Sequence, residues 1–160
     1  MSVVTDHLTR RGIRFETRSH ERTFTSIQEA RALGIAADEV AKTVVLDTDH
    51  GHVLVAIPGS RKLDMHRVRE IVGDKRARLA TEHEMKRDYP RFELGAVPPL
   101  ADLLHTPVFV DEELARHETI VFADGLQSES VQMRTADLLA TEATSIASLI
   151  HDPERSPSTA

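Results

Sequence analysis

Two short runs rich in β-branched residues, Lys42 to Thr48 and His52 to Ile57, are separated only by Asp49, His50 and Gly51. That spacing constrains the fold more than any other feature of the chain. Runs of this composition extend and pair, and a short connection ending in glycine turns them into an antiparallel hairpin. Glycine, proline and capping residues punctuate short elements on either side. A helix from Val3 stops at Gly12, and Ile13, Phe15 and Thr17 then alternate with charged residues as a strand does. Thr25 and Gln28 have capping-box spacing for a helix whose apolar side is Ile27, Ala30, Ala32 and Leu33, closed by Gly34. Past a Pro58-Gly59 turn, a helix over Asp64 to Val72 presents Met65, Val68, Ile71 and Val72 and stops at Gly73. Another starts at the cap Thr81 and ends before Pro90. Gly95, Pro98 and Pro99 oppose regular structure and predict an ordered loop over Phe92 to Leu104. Strands are predicted at Pro107 to Val110, Thr119 to Ala123 and Val131 to Arg134, with Thr135 capping a short helix through Leu139. The result is a mixed α/β reading with no repeat.

At 160 residues the chain is expected to form one domain, and a chain of that size buries roughly 70% of its unfolded surface without staples. That domain is read as residues 1–151. Residues 152–160 hold two prolines and no large apolar residue, and are expected to be a disordered tail. No cysteine is present, which excludes disulfides, thiolate catalysis and cysteine metal sites. The longest apolar run is the five residues Val53 to Ile57, against about 20 for a membrane span. Met1 to Arg11 lacks the pattern of a signal peptide. The expectation is a soluble, cytoplasmic protein with no membrane partner.

Net charge is −6, but it is unevenly spread. Residues 61–91 carry +4 and residues 92–160 carry −9, so half of the Lys and Arg side chains fall in one fifth of the chain. An acidic molecule with a local phosphate-binding face has this distribution, and so does a helix with ordinary solvated flanks.

The familiar catalytic signatures, GxSxG, P-loop, GxGxxG and HExxH, are absent. His50 and His52 are the histidines closest together, and two ligands do not make a stable metal site. No metal or other cofactor is expected. Three features call for more than a structural account. Lys42 alternates onto the face of Val44 and Leu46, with Thr43 and Val45 on the other. If the Lys42 face lines a concavity, the ammonium there neutralises a phosphate or a developing oxyanion; a lone edge lysine also discourages aggregation. The loop Gly95-Ala96-Val97-Pro98-Pro99 is suited to holding backbone groups in fixed positions, or to serving as a rigid connector. Gly125 to Ser130 lines a polar pocket or simply forms a turn.

Taken in order, these pieces resemble the YbaK/ProRS-associated family of aminoacyl-tRNA deacylases, relatives of the editing domain inserted in bacterial prolyl-tRNA synthetases. The resemblance is carried by His20 ahead of Thr25-Ser26-Ile27-Gln28-Glu29-Ala30, by Val40 to Leu46 with Lys42, and by Pro58-Gly59 with Leu63-Asp64. It continues through Gly95 to Leu100, Val108 to Asp111, Val121 to Gly125 and Asp137-Leu138-Leu139. It implies a single YbaK-like domain with a curved, partly barrel-like mixed sheet and peripheral helices. It also implies hydrolysis of the ester joining a mischarged small amino acid to the acceptor end of a tRNA, with tRNA(Pro) the favoured carrier, and a synthetase as a further partner. A second site of this kind is useful because binding alone discriminates poorly between small side chains. Lys42 and Gly95 would be the catalytic pair, the lysine beside the terminal nucleotide and the glycine in a GxxxP loop orienting the carbonyl. His20, Thr43, Ala96, Pro98, Pro99 and Ser130 would bind substrate, and Arg61, Lys62, Arg67 and Arg69 would guide the tRNA. No side-chain nucleophile is implied, the substrate's own 2′-hydroxyl or side chain assisting. The same fold is also compatible with a non-catalytic tRNA- or synthetase-binding module.

Overall fold

The computed structural model describes residues 2–151, so the tail expected over 152–160 lies outside the described residues. In chain order the first elements are α1 (Val3–Arg10), β1 (Phe15–Ser19), α2 (Ser26–Leu33), β2 (Ala41–Thr48) and β3 (Gly51–Pro58). Next come α3 (Met65–Val72), β4 (Arg78–Leu79), α4 (Glu82–Asp88), α5 (Ala101–Leu104), β5 (Val108–Asp111) and α6 (Glu112–Ala115). The last are β6 (Thr119–Ala123), β7 (Glu129–Arg134), α7 (Thr135–Leu138) and β8 (Thr144–Ala147).

The hairpin forms, from Ala41 opposite Pro58 to Thr48 opposite Gly51, with Gly51 paired as the first residue of β3 so that the turn is only Asp49 and His50. It is the centre of a mixed five-stranded sheet ordered β4-β2-β3-β5-β8, in which β5 runs parallel to both β3 and β8. A second sheet, β1-β7-β6, is antiparallel throughout. The two meet at a single parallel bridge, Val40 to Val121. This corrects the barrel-like expectation. One bridge is not a ladder, and the sheets face each other across side chains instead of closing through hydrogen bonds.

Alternation along the hairpin sends neighbouring residues to different cores. Ala41, Val45, Leu54 and Ala56 pack with Ile120, Phe122, Val131 and Met133 of the smaller sheet and with Val4 and Leu8 of α1. Val44, Leu46, Val55 and Ile57 pack on the opposite face against Val68 of α3 and Leu149. A third, smaller cluster joins Ala30 and Leu33 of α2 to the bridge residues Val40 and Val121. Fully burying side chains such as Leu54, Ile57 or Phe122 stabilises the fold by about 1.5–3 kcal/mol each.

The caps explain the helix limits. Thr25 accepts from Gln28 N at 3.1 Å, Asp64 accepts from His66 N at 3.0 Å, and Thr81 and Glu84 complete a capping box. Thr135 differs from its expected capping role: it is the first residue of α7, and its N–H is donated to Glu118 O at 3.0 Å. That bond holds it in the strand frame, with its hydroxyl buried and bonded to none of the described residues. The stretch 92–104 is a loop as far as Leu100 and then turns into α5, since only its first part contains the prolines. Ile27 is exposed, because α2 turns Glu29, Ala30 and Leu33 inward instead. Among the described residues no helix is long and apolar enough to cross a membrane.

Candidate active site

The junction of the two sheets leaves a gap that loops fill, and there the residues singled out in the sequence converge. Three segments meet: 20–25 after β1, 93–96 before the prolines, and 123–130 between β6 and β7. Gln127 ties them together. Its Nε2 donates to Leu94 O at 2.8 Å, its N–H to Glu93 Oε1 at 2.8 Å, and its Oε1 accepts from Arg22 Nε at 2.5 Å. Its carbonyl accepts from Thr23 N at 2.9 Å, and Glu93 N donates to Gly125 O at 2.8 Å. The stretch Gly125 to Ser130 is therefore both a turn and a polar wall.

These segments enclose a cavity lined by His20, Thr23, Phe24, Thr25, Glu29, Gly95, Ala96, Ala123 and Gln127. Its water-accessible space is about 10 Å³, about the room one water occupies. Gly95 takes φ +78°, a left-handed conformation that an L side chain rarely adopts. Within that loop Ala96 N donates to Glu93 O at 3.0 Å, whereas the N–H groups of Gly95 and Val97 bond no described residue. Unspent backbone N–H groups beside a cavity are what a developing oxyanion requires. Phe24, at the mouth, is 65% exposed.

Behind the lining, the Ser130 hydroxyl is fully buried between two polar partners. It donates to Glu29 Oε2 and lies 2.8 Å from His20 Nε2, while His20 Nδ1 is 2.7 Å from Glu21 O. Burial pushes the Glu29 carboxyl above its ordinary range, against the lowering by the Ser130 bond and the nearby His20. The neighbouring Asp124 carboxyl is also pushed up by burial, against the lowering by the Ser2 hydroxyl and the Leu126 backbone.

Of the site residues read from sequence, His20, Gly95 and Ala96 line the cavity and Ser130 backs it. Pro98 and Pro99 are buried farther along the same loop and do not line it. Lys42 shares the face of Val44 and Leu46, opposite Ile57, and is exposed with its ammonium bonded to no described residue. It lies two residues beyond the Val40–Val121 bridge, as the lining residue Ala123 does on β6, and both strands run the same way there. Thr43 is half-buried opposite Ala56. The basic tract is mostly engaged within the fold. Arg61 pairs with Glu113 at 2.8 Å, Arg67 donates to Ser148 Oγ at 2.6 Å, and Arg69 Nε donates to Ala77 O at 3.0 Å. Lys62 is exposed, its carbonyl accepting from His151 N at 2.8 Å and its ammonium bonded to no described residue. Of the two histidines near the hairpin tip, His50 is exposed, while His52 is held by Asp88 at 2.6 Å and Leu46 O at 3.2 Å. Larger open hollows, about 490 Å³ between β1 and β7 and about 560 Å³ beside α3, contain none of the cavity's residues.

Glu29 and Gln127 are functional candidates that the sequence reading did not single out. Glu29 stands four residues before Leu33, on the buried side of α2, and a carboxylate on an inward stripe was the available signal.

Residues 20–141 match the family described as the aminoacyl-tRNA editing domain. A Bacillus subtilis (strain 168) chain called uncharacterized protein YwhH is 29% identical over 126 residues, covering 78% of this chain and 76% of its own length. A solved structure described as a candidate trans-editing enzyme for prolyl-tRNA synthetase superposes with TM-score 0.83 and 25% identity, over 94% of this chain and 96% of that one. A hypothetical protein superposes with TM-score 0.84 and 24% identity, over 94% of this chain and all of that one.

Proposed function

We propose, from the premise that this chain belongs to the aminoacyl-tRNA editing domain family, that it is a trans-acting deacylase. On this reading it works in the cytoplasm, hydrolysing the ester of a mischarged small amino acid on a tRNA, tRNA(Pro) foremost, with a synthetase as companion. The observation that carries the reading is the small cavity at the sheet junction, where His20, Glu29, Gly95 and Ala96 converge within the family-matched residues.

Each part has a chemical task. The exposed Lys42 ammonium takes the terminal phosphate of the acceptor end, one strand away from the cavity wall. The Gly95 N–H stabilises the oxyanion that forms when the ester carbonyl is attacked. Ala96, Ala123 and Gln127 narrow the cavity to about the room of one water, so only a small aminoacyl side chain at its mouth lets the ester carbonyl reach that water, and size rather than binding strength decides what is cleaved. Thr43, Pro98 and Pro99 shape the approach, and Lys62 with Arg61, Arg67 and Arg69 supplies the positive field that guides the tRNA. The hydrolysis uses water without metal or cofactor, with help from the substrate's own 2′-hydroxyl.

The test is to incubate the protein with tRNA(Pro) charged separately with alanine, cysteine, serine, threonine and proline, alongside Lys42→Ala. Selective loss of one or two noncognate esters, abolished by Lys42→Ala, is the expected result. Survival of every ester with tRNA still bound would replace this reading with a binding module. Replacing Arg61, Lys62, Arg67 and Arg69 by alanine should lower tRNA affinity and its salt dependence; unchanged values remove the tract from the docking face.

A further inference from the structure

Of the buried carboxylates among the described residues, Glu29 alone lines the cavity. Its side chain is divided in purpose. Oε2 is engaged by the Ser130 hydroxyl, whereas Oε1 is bonded to no described residue and belongs to a lining residue of a space that fits one water. The rest of the chain fixes where protons can be. His20 Nδ1 faces the Glu21 carbonyl at 2.7 Å, and a carbonyl only accepts, so Nδ1 carries a proton. Ser130 has one proton to share between His20 Nε2 and Glu29.

Two arrangements then hold the same number of protons. In one, an imidazolium donates from Nε2 to Ser130 and Ser130 donates to a carboxylate. In the other, a Glu29 carboxylic acid donates to Ser130 and Ser130 donates to a neutral imidazole. They interconvert by moving each of two protons one step along the row.

We infer that Glu29 is the general base of the deacylation, and that Ser130 and His20 are positioning residues that orient its carboxylate and share its proton. The inference rests on the deacylase reading above. In the step, a cavity water gives a proton to Glu29 while its oxygen bonds the ester carbonyl carbon. The carbonyl electron pair moves onto oxygen, towards the free N–H of Gly95. On collapse, the bond from carbon to the ribose oxygen breaks and that oxygen takes the proton from Glu29. One water is consumed, the amino acid and a tRNA with a free hydroxyl leave, and the carboxylate is restored. This needs no side-chain nucleophile, since a base acts on the water and not on the ester. A buried carboxyl raised above its ordinary range is a better proton acceptor near neutral pH than an exposed one. The other charged groups around it are Glu21 beside His20, Asp124 on the β6–β7 connection, Glu129 at the start of β7, and Arg22 and Glu93, which pair at 3.0 Å.

The experiment measures single-turnover deacylation of the five charged tRNAs against pH for the wild-type chain, Glu29→Gln and Ser130→Ala, with thermal unfolding alongside. Glu29→Gln keeps the shape and the Ser130 contact, and is expected to lower the maximal rate by about 10²–10⁴-fold with KM unchanged. Its rate should also lose the rise with pH that the wild type shows through the Glu29 titration. Ser130→Ala should displace that rise along the pH axis, which a purely structural role would not do. A wild type that cleaves an ester, with Glu29→Gln within about threefold of it, overturns the inference and leaves the deacylase reading standing. A wild type that cleaves none overturns both. If Glu29→Gln does not fold, the ring-nitrogen shifts of His20 in the wild type decide: titration in step with Glu29 supports the shared proton, and independent titration refutes it.

Discussion

Gly125 is where the turn that walls the cavity meets the main core, and replacing it by alanine tests whether that contact sets the stability of the site. Its φ is +99°, and an added Cβ would lie 2.8 Å from Phe92 Cδ1 and 3.4 Å from Cε1. Phe92 has no free side to retreat to, being only 9% exposed and packed with Tyr89, Val97 and Leu100. Left-handed backbone costs an L residue about 1–2 kcal/mol, and overpacking a filled core adds about 1–3 kcal/mol. The sum is roughly 2–5 kcal/mol, or about 4–20 °C in Tm for a domain of this length. Gly73→Ala is the matched control, with φ +70° and nothing within 4 Å of the added Cβ, so it should lose only about 1 kcal/mol. Urea unfolding followed by far-UV circular dichroism gives both values, provided the m-values agree. Because Gly125 O also accepts from Glu93 N, the displaced turn should disturb the Gly95 loop and slow deacylation as well. Phe92→Leu should relieve the clash, making the double variant more stable than the two separate losses add up to. A Gly125→Ala variant no less stable than Gly73→Ala would refute the reasoning.

Two further outcomes concern buried carboxylates. Asp111 is fully buried, accepting from Leu149 N at 2.8 Å and from Glu113 N at 3.0 Å, so it joins the end of β5 to α6 and to the segment after β8. Asp111→Ala should cost about 2–4 kcal/mol in urea unfolding, by orphaning a buried N–H and removing a helix cap; a loss under about 1 kcal/mol would show that the contacts are not holding the segment. Glu29→Gln should raise Tm at pH 7 with the gain shrinking towards pH 4. A carboxyl whose folded pKa is raised keeps the stability of its protonated form below the ordinary value of 4.5 and loses it as pH rises through the folded value. A gain that grows on acidification would contradict the raised value.

The hairpin was legible because pairing depends on local composition and turn length, and both lie within the 16 residues from Lys42 to Ile57. Its two faces were legible too, since alternation alone assigns Lys42 to the side of Val44 and Leu46. What covers each face was not. The distinction between one curved sheet and two sheets touching at Val40 and Val121 depends on contacts between residues eighty positions apart. β8 escaped because it is only four residues long and its Ser145 and Ala147 carry little strand signature, and it forms as an edge strand against β5. α6 escaped because its cap, Asp111, is also the last residue of a strand. In the site, Gly95 and Ala96 were found from backbone chemistry and His20 from resemblance. Glu29 was not singled out, since the inward side of α2 was read from its apolar residues, Ile27 among them, whereas the helix buries Glu29 with Ala30 and Leu33 and leaves Ile27 exposed.

The open junction and the chemistry proposed for it have a common physical origin. A sheet continued across Val40 and Val121 would place successive N–H groups in a ladder, and a laddered N–H has no capacity left for an oxyanion. Ending the pairing after one bridge lets a loop with free donors at Gly95 and Val97 come to the gap. The cost falls in the same place. Glu29 and Asp124 are both buried, and that burial displaces both carboxyls upwards. They lie beside the smallest of the three apolar clusters, whereas the two larger ones close the remainder of the five-stranded sheet on either face. Strain of this kind persists only where the surroundings over-determine it. Here Gln127 supplies that restraint, fixing three loops at once with side-chain and backbone bonds that no single strand pairing could provide.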